Sequence, residues 1–239
     1  MKGPTVKKSS IKKRLIWILV PLLALIIVGG AGVSWMLSGS SAAPLALKAA
    51  GSSTSVGSAG DLSGQWEVVP GPANEATTAG YRVEEKVAGG LVSDTATGRT
   101  GDVTGSVTVV GTRVTAAHFT VNMSTLKSDK NLRDTVLKTN AIQTTQYPTA
   151  AFTLSDAIDL PDITPGKVYR VDAHGTLLLH GVSKSVTVAL NYQQTNTGFV
   201  LLADMPIVMA DYAITPPSIA GVVSVEDHGS FELLVNLAK

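Results

Sequence analysis

From Trp66 onward, apolar and polar residues alternate with a period of two, in short runs separated by glycine-containing turns. In residues 115–123, for example, Phe119, Val121 and Met123 fall on one face of the chain. A period of two places successive side chains on opposite faces of a strand, whereas a helix repeats every 3.6 residues. Valine and threonine dominate these runs, and turns recur every 8–12 residues or so, which is typical of antiparallel sandwiches and barrels. The sequence therefore predicts an all-β body.

One segment departs from this alternation. Within residues 127–137, Leu132 and Val136 have helical spacing, and Ser128 or Asp129 precedes them as a candidate N-cap. The sequence predicts one short helix here, of two to three turns, between strands.

The β body spans residues 62–239 and contains no second change of composition, so we expect a single domain. A sheet of this size hides its edges either by stacking two layers or by closing into a barrel. The interior of an eight-stranded barrel is either filled by side chains or holds one slender ligand. Composition leaves both possibilities open.

The N-terminal region differs from the body. Residues 15–37 form a run of 23 residues without a charge, and about 20 apolar residues suffice for a transmembrane helix. Six basic residues lie within residues 1–14, whereas the chain from Asp61 onward carries 18 acidic and 12 basic residues, a net charge of −6. The positive-inside rule then predicts a cytoplasmic tail (1–14), a single-pass signal anchor (15–37) in the cell membrane, and an extracytoplasmic body. A cleaved signal peptide is the alternative, but its apolar region is usually only ~7–15 residues long.

Residues 38–61 connect this segment to the body. They are rich in serine, glycine and alanine, with one charge before Asp61, and they show neither helical nor alternating periodicity. Such a composition predicts a flexible linker.

Several functional classes are excluded by what the sequence lacks. It contains no cysteine, and therefore no disulfide or thiolate ligand, and its few basic residues in the body argue against a nucleic-acid partner. No nucleophile elbow, phosphate-binding loop, dinucleotide fingerprint or zinc-protease motif occurs, so we expect no catalytic residue and no cofactor. His174 and His180 would lie roughly 20 Å apart on one strand, too far to share a metal ion. We expect no metal site and a structural, hydrogen-bonded role for His180.

Three motifs occur in order along the body: Arg133-Asp134, then Tyr147-Pro148 followed by Phe152, then a glycine-containing hairpin over residues 175–184. In the hairpin the matching residues are Gly175, Leu177, Gly181, Val182, Ser183 and Lys184. Together they resemble the YceI-like family of bacterial lipid-binding proteins, here in an actinobacterial-type, membrane-anchored form. The resemblance implies a lipocalin-like antiparallel barrel of about eight strands, and a long-chain isoprenoid lipid as partner.

Under this resemblance the inward-facing apolar residues are the predicted walls of a lipid cavity: Tyr81, Val83, Phe119, Val121, Met123, Phe152, Leu154, Val186, Val188, Leu190, Phe231 and Leu233. Arg133 and Asp134 have two possible roles, orienting a lipid headgroup or holding the helix on the barrel. The alternative function is a cell-envelope or stress-related module with a filled barrel that binds a protein partner.

Overall fold

The structure is a computed structural model that describes residues 41–48, 61–219 and 222–239. The predicted cytoplasmic tail (1–14) and transmembrane segment (15–37) lie outside these residues. Within the described ranges, no helix has the length and apolar character needed to cross a membrane.

Strands are the main secondary structure of the described chain, as the alternation predicts. Their bounds are β1 (Gly64–Val69), β2 (Thr78–Val87), β3 (Val92–Thr100), β4 (Val103–Val110), β5 (Arg113–Asn122), β6 (Lys127–Ser128), β7 (Thr149–Leu154), β8 (Ile158–Asp159), β9 (Val168–Leu179), β10 (Val182–Gln194), β11 (Phe199–Val208), β12 (Ser218–Ile219) and β13 (Val223–Ala238). Short 3₁₀ turns cover Ala88–Gly90, Met123–Thr125 and Met209–Tyr212.

Eight of the strands close into a ring. The hydrogen-bonded order is β1-β4-β5-β7-β9-β10-β11-β13, and β13 pairs back onto β1 through Leu237 opposite Val68. Every pairing in the ring is antiparallel. Closure pairs the backbone donors and acceptors that an open sheet would leave at its edges. The prediction of an antiparallel barrel of about eight strands with one short helix is confirmed.

The 16-residue strand β13 holds this architecture together. It pairs with β11 between His228 and Leu237, with β2 between Val223 and Leu234, and with β1 between Asn236 and Ala238. Its alternate residues Phe231, Leu233, Val235 and Leu237 are all buried in the core cluster. The core therefore lies inside the ring, as the period of two requires.

Two cross-strand pairs match a glycine with an aromatic ring. Gly98 lies opposite Tyr81, and a Cβ at Gly98 would stand 2.3 Å from the Tyr81 ring. Gly105, with φ of 154°, lies opposite Phe119, and a Cβ there would meet a backbone carbonyl at 2.2 Å. Both glycines are needed because the rings and the neighbouring backbone occupy the space of a side chain.

The predicted helix is present, but its start differs from the prediction. Helix α1 (Asn131–Val136) continues into a π-helical turn, Leu137–Ala141, and its N-cap residue is Lys130, which makes no side-chain cap hydrogen bond. Neither Ser128 nor Asp129 is the cap. Ser128 instead donates from its backbone N–H and its hydroxyl to the carboxylate of Asp134, at 2.8 and 2.7 Å.

Residues 41–48, which were expected to belong to a flexible linker, lie against the outer face of β2 and β3. The Ala42 N–H donates to Thr97 Oγ1 at 3.2 Å, and the Lys48 N–H donates to a Glu75 carboxylate oxygen at 3.0 Å. Side chains of the rest of the domain therefore bind the backbone of this part of the predicted linker. We call residues 41–48 the strap.

Candidate functional site

The interior of the barrel contains a cavity of about 100 Å³ that is partly open to solvent. It lies at the end of the barrel where β1 begins and β13 ends, because its lining includes residues from both of these points. All lining residues are aliphatic, aromatic or methionine: Leu62, Trp66, Val107, Val109, Val114, Ala117, Phe119, Phe152, Leu154, Ile158, Leu160, Val171, Ala173, Val188, Leu190, Tyr192, Phe199, Leu201, Ala203, Met205, Leu233 and Leu237. No charged side chain is among them, so the cavity is suited to hydrocarbon.

The outer end of the cavity is formed by packed aromatic rings. Trp66 meets Phe199 edge-on, with their centroids 5.0 Å apart, and Tyr192 stacks on Tyr169 at 5.5 Å. The indole N–H of Trp66 donates to the Leu62 carbonyl at 3.0 Å. Because that polar atom has a partner in the protein, the indole ring presents only apolar surface to the cavity.

Lys239 binds the chain segment at this end. Its Nζ donates to the backbone carbonyls of Asp61 and Ser63, at 2.9 Å each, and lies 4.7 Å from the centroid of Trp66. These contacts hold residues 61–63 in place, and with them Leu62, which lines the cavity.

The predicted wall residues divide into two equal groups. Those that line the cavity are Phe119, Phe152, Leu154, Val188, Leu190 and Leu233. Those that lie elsewhere are Tyr81, Val83, Val121, Met123, Val186 and Phe231. The prediction treated the whole inward face as wall, whereas the cavity occupies only the part nearest β1. The second group is buried or half-buried at the levels beyond it, where side chains fill the interior.

Arg133 and Asp134 lie on α1 and both bind protein groups. Arg133 makes an ion pair with Glu85 on β2 at 2.5 Å and a second one with Asp129. Asp134 is bound by Ser128 and lies 3.5 Å from Lys127 Nζ. Both residues thus have the contacts expected for holding the helix on the barrel.

Tyr81 lies beside this ion pair. Burial is the main cause that raises the pKa of its phenol above the ordinary value near 10, and Arg133 acts in the opposite direction. Among the described residues its hydroxyl has no hydrogen-bond partner. Tyr81 is therefore an uncharged packing residue at neutral pH.

A second charged cluster, which the sequence analysis did not identify, lies on the outer face of the barrel. Glu232 on β13 is 3% exposed and pairs with Arg82 at 3.2 Å and with Arg99. The two guanidinium groups also donate to the strap, at the carbonyls of Ala42 (2.5 Å) and Ala43 (3.2 Å). Both guanidinium groups thus bridge the buried carboxylate of Glu232 and the backbone of the strap.

The histidines do not gather at one point. His180 is buried, contacts the Tyr212 carbonyl through Nδ1 at 2.9 Å and packs on Tyr147, so its expected structural role is confirmed. Near the surface, Glu226, Asp227 and His228 have ligand atoms within 4.8 Å of one another. Hydrogen bonding to Asp227 is the main cause that raises the pKa of His228 above its ordinary value.

Of the 22 lining residues, the sequence analysis predicted six and missed sixteen, among them Leu62, Trp66, Phe199 and Met205. Trp66 lies in a short strand of six residues, where alternation gives little evidence for a face. Phe199 and Met205 alternate with period two along β11, so the same pattern could have identified them. Leu62 precedes the first strand and carries no periodic signal at all.

The fold and the cavity define a class: closed antiparallel barrels that can enclose the hydrocarbon part of a ligand. Residues 51–237 match the YceI-like domain, and the chain belongs to the YceI-like family. The resemblance drawn from the three motifs is confirmed.

Two solved structures share the fold at low sequence identity. A polyisoprenoid binding domain from Saccharophagus degradans implicated in plant cell wall breakdown has a TM-score of 0.51 and 16% identity, covering 68% of this chain and 97% of that chain. BcnA from Burkholderia cenocepacia has a TM-score of 0.50 and 16% identity, covering 68% of this chain and 96% of that one. No curated protein matches this chain.

Proposed function

We propose that this protein binds a polyisoprenoid, or a lipid with a similar hydrocarbon tail, in the barrel cavity and performs no chemistry on it. The observation that carries the proposal is the lining of the cavity, which consists only of aliphatic and aromatic residues and methionine. Each buried CH₂ contributes about 0.8 kcal/mol, so apolar walls alone can hold a prenyl tail. Family membership and the polyisoprenoid-binding domain from Saccharophagus degradans support the same class of ligand.

We further propose that binding takes place at the outer face of the cytoplasmic membrane. The support is the sequence: an uncharged run at 15–37, six basic residues before it and an acidic body after it. This charge distribution favours a cytoplasmic N-terminus and an exported barrel.

The second candidate function is a module with a filled barrel that binds a protein partner. The volume of the cavity favours it, because about 100 Å³ is small beside the roughly 300–1,000 Å³ typical of ligand pockets.

The two candidates are separated by native mass spectrometry of the full chain, purified from a bacterium that makes prenyl lipids, followed by organic extraction. Lipid binding predicts a stoichiometric adduct of isoprenoid mass. A clean apo mass, unchanged after incubation with prenyl lipids, would contradict it and favour the filled barrel.

Matched variants locate the adduct in the cavity. Ala173 lines the cavity on β9, and Ala173→Phe would fill it, whereas Ala189→Phe places the same ring on the alternate, outward position of β10. We expect the adduct to disappear in the first variant and to persist in the second. Equal loss in both folded variants would place the lipid elsewhere.

A further inference from the structure

We infer that the cavity admits no more than about three isoprene units of a lipid tail, so that it selects short prenyl chains and leaves the rest of a long one outside the barrel. This inference rests on the proposed function, since it concerns the ligand of the same cavity. It follows from the depth of the cavity and from what lies beneath it.

The depth can be read from the strands that line the cavity. Along β13 the lining runs from Leu233 to Leu237, and along β10 from Val188 to Tyr192. Each stretch is roughly 13 Å long at about 3.3 Å per residue, and the longest stretch, Phe199 to Met205 on β11, is roughly 20 Å. Barrel strands tilt by about 35–45°, so the depth along the barrel axis is roughly 10–15 Å.

The cavity is closed below by core side chains. Phe231 is the next residue after Leu233 on the inner face of β13, deeper along the barrel axis; it is buried and lies opposite Tyr81. On the β5 side the corresponding levels hold Val121 and Met123, which are 4% and 0% exposed. A tail that went deeper would have to displace packed core residues, at a cost that rises with each side chain moved.

Beyond this apolar floor lies the Glu85–Arg133 ion pair. Register places it there, because Tyr81 lies opposite Phe231 while Glu85 lies opposite Val225, further from the cavity. A hydrocarbon tail that reached this ion pair would gain no favourable contact with the charged groups. A tail that separated the pair would leave the two charges buried and unpaired with each other, which is costly. Geometry and charge therefore set the same limit.

The limit translates into chain length. An isoprene unit adds four carbon–carbon bonds of about 1.5 Å to the main chain, or roughly 5 Å when extended. A depth of roughly 10–15 Å then takes two or three units, that is, a geranyl or farnesyl chain. The small volume, about 100 Å³, points in the same direction.

The experiment measures affinity against chain length. Residues 41–239 form one compact unit, with the ring closed inside Gly64–Ala238, and they contain a single tryptophan, Trp66, which lines the cavity. Trp66 fluorescence is titrated with geranyl, farnesyl and geranylgeranyl monophosphate below their micellar concentrations. We expect affinity to rise at least tenfold between geranyl and farnesyl, and to change less than threefold between farnesyl and geranylgeranyl.

The possible failures are distinguishable. A further tenfold rise for the geranylgeranyl chain overturns the length limit and leaves lipid binding intact. Binding of none of the three chains, with a folded protein, refutes the proposed function itself.

A floor variant tests the cause of the limit. Phe231→Ala removes the ring below Leu233, and we expect the geranylgeranyl chain to become at least fivefold tighter than the farnesyl chain. Leu234→Ala is the matched control, since Leu234 is equally buried but occupies the alternate position on β13. An unchanged length profile in folded Phe231→Ala contradicts the floor assignment. If that variant does not fold, Met205→Ala, at the deepest lining level, is expected to shift the profile in the same direction.

Discussion

The ion pair between Arg133 and Glu85 offers a sharp test of how α1 is held on the barrel. Their side chains are 13% and 8% exposed and 2.5 Å apart. Arg133→Met keeps an unbranched apolar stem in place of the arginine side chain but leaves the Glu85 carboxylate buried without its main partner. Breaking a buried pair in this way costs about 3–5 kcal/mol, because the remaining charge stays desolvated.

This cost is large beside the total stability of a domain, about 5–15 kcal/mol. With a urea m-value of about 2 kcal/mol/M, the unfolding midpoint falls by roughly 1.5–2.5 M. The measurement is urea unfolding of residues 41–239, followed by circular dichroism and by Trp66 fluorescence. Coincident curves from the two probes establish the two-state behaviour that the free energies require.

Two further variants give the result its meaning. In Arg133→Met combined with Glu85→Met, no buried charge loses its partner, because Asp129, the second partner of Arg133, is exposed; we expect most of the lost stability to return. Arg113→Met breaks a surface pair with Asp159, whose side chains are 55% and 76% exposed, and we expect a cost below about 1 kcal/mol. The reasoning is refuted if Arg133→Met costs no more than Arg113→Met.

The same variant separates the two roles considered for Arg133. If it only holds the helix, farnesyl monophosphate binds folded Arg133→Met as tightly as the unmodified chain, because core residues separate the pair from the cavity. A tenfold loss of affinity with unchanged stability would instead assign Arg133 to a lipid headgroup.

Three other perturbations have defined outcomes. Gly105→Ala places a Cβ within 2.2 Å of a backbone carbonyl, at a positive φ, and should lower the free energy of unfolding by about 2 kcal/mol or more. In the control Gly101→Ala, the atom nearest the new Cβ is 3.5 Å away, and the free energy of unfolding should change by less than about 0.5 kcal/mol. Equal effects of the two substitutions in urea unfolding would contradict the packing argument. Tyr81→Phe removes a buried hydroxyl that has no partner among the described residues, and the free energy of unfolding should stay unchanged or rise. The hydroxyl of Tyr169 binds two backbone groups, so Tyr169→Phe should lower the free energy of unfolding by about 1 kcal/mol, measured by thermal or urea unfolding. The pKa of His228, measured by NMR titration, should lie above its ordinary value near 6.5 and return toward that value in Asp227→Asn. Because the pKa of His228 is higher in the folded than in the unfolded state, its contribution to stability is present at acidic pH and is lost as pH rises through the folded pKa.

The faces of the strands could be predicted from the sequence. Phe119, Phe152 and Leu190 point into the barrel because alternation is a local property of a strand, and the sequence carries it directly. The closed ring followed from the family resemblance, since alternation alone leaves sandwiches and barrels equally possible.

The length of the cavity could not be predicted. Phe119, Val121 and Met123 share one face of the same region, yet only Phe119 reaches the cavity. What separates them is their level along the barrel axis, which is set by register and tilt across all the strands. No local pattern contains that information.

The strap shows a different limit. Serine, alanine and glycine around residues 38–61 have the composition of a flexible linker, but Arg82 and Arg99 bind the backbone carbonyls of Ala42 and Ala43. The order of the strap comes from donors that lie 40 to 56 residues further along the chain. Amino-acid composition cannot predict contacts to backbone atoms, because every residue type supplies the same backbone carbonyl.

The position of β13 in the ring has a consequence for how this protein is made. Arg82 and Glu232, which this strand brings together, are 150 residues apart in sequence, and Asn236 is bound to Thr77 across 159 residues. Such distant pairings are slow to form, because the entropy lost in closing a large loop is offset only after the contacts have formed. During synthesis the earlier strands have no partner for closure until the chain is complete through Ala238. Closure of the barrel is therefore expected to wait until β13 has been synthesised, which leaves a period in which the earlier β strands are exposed to aggregation.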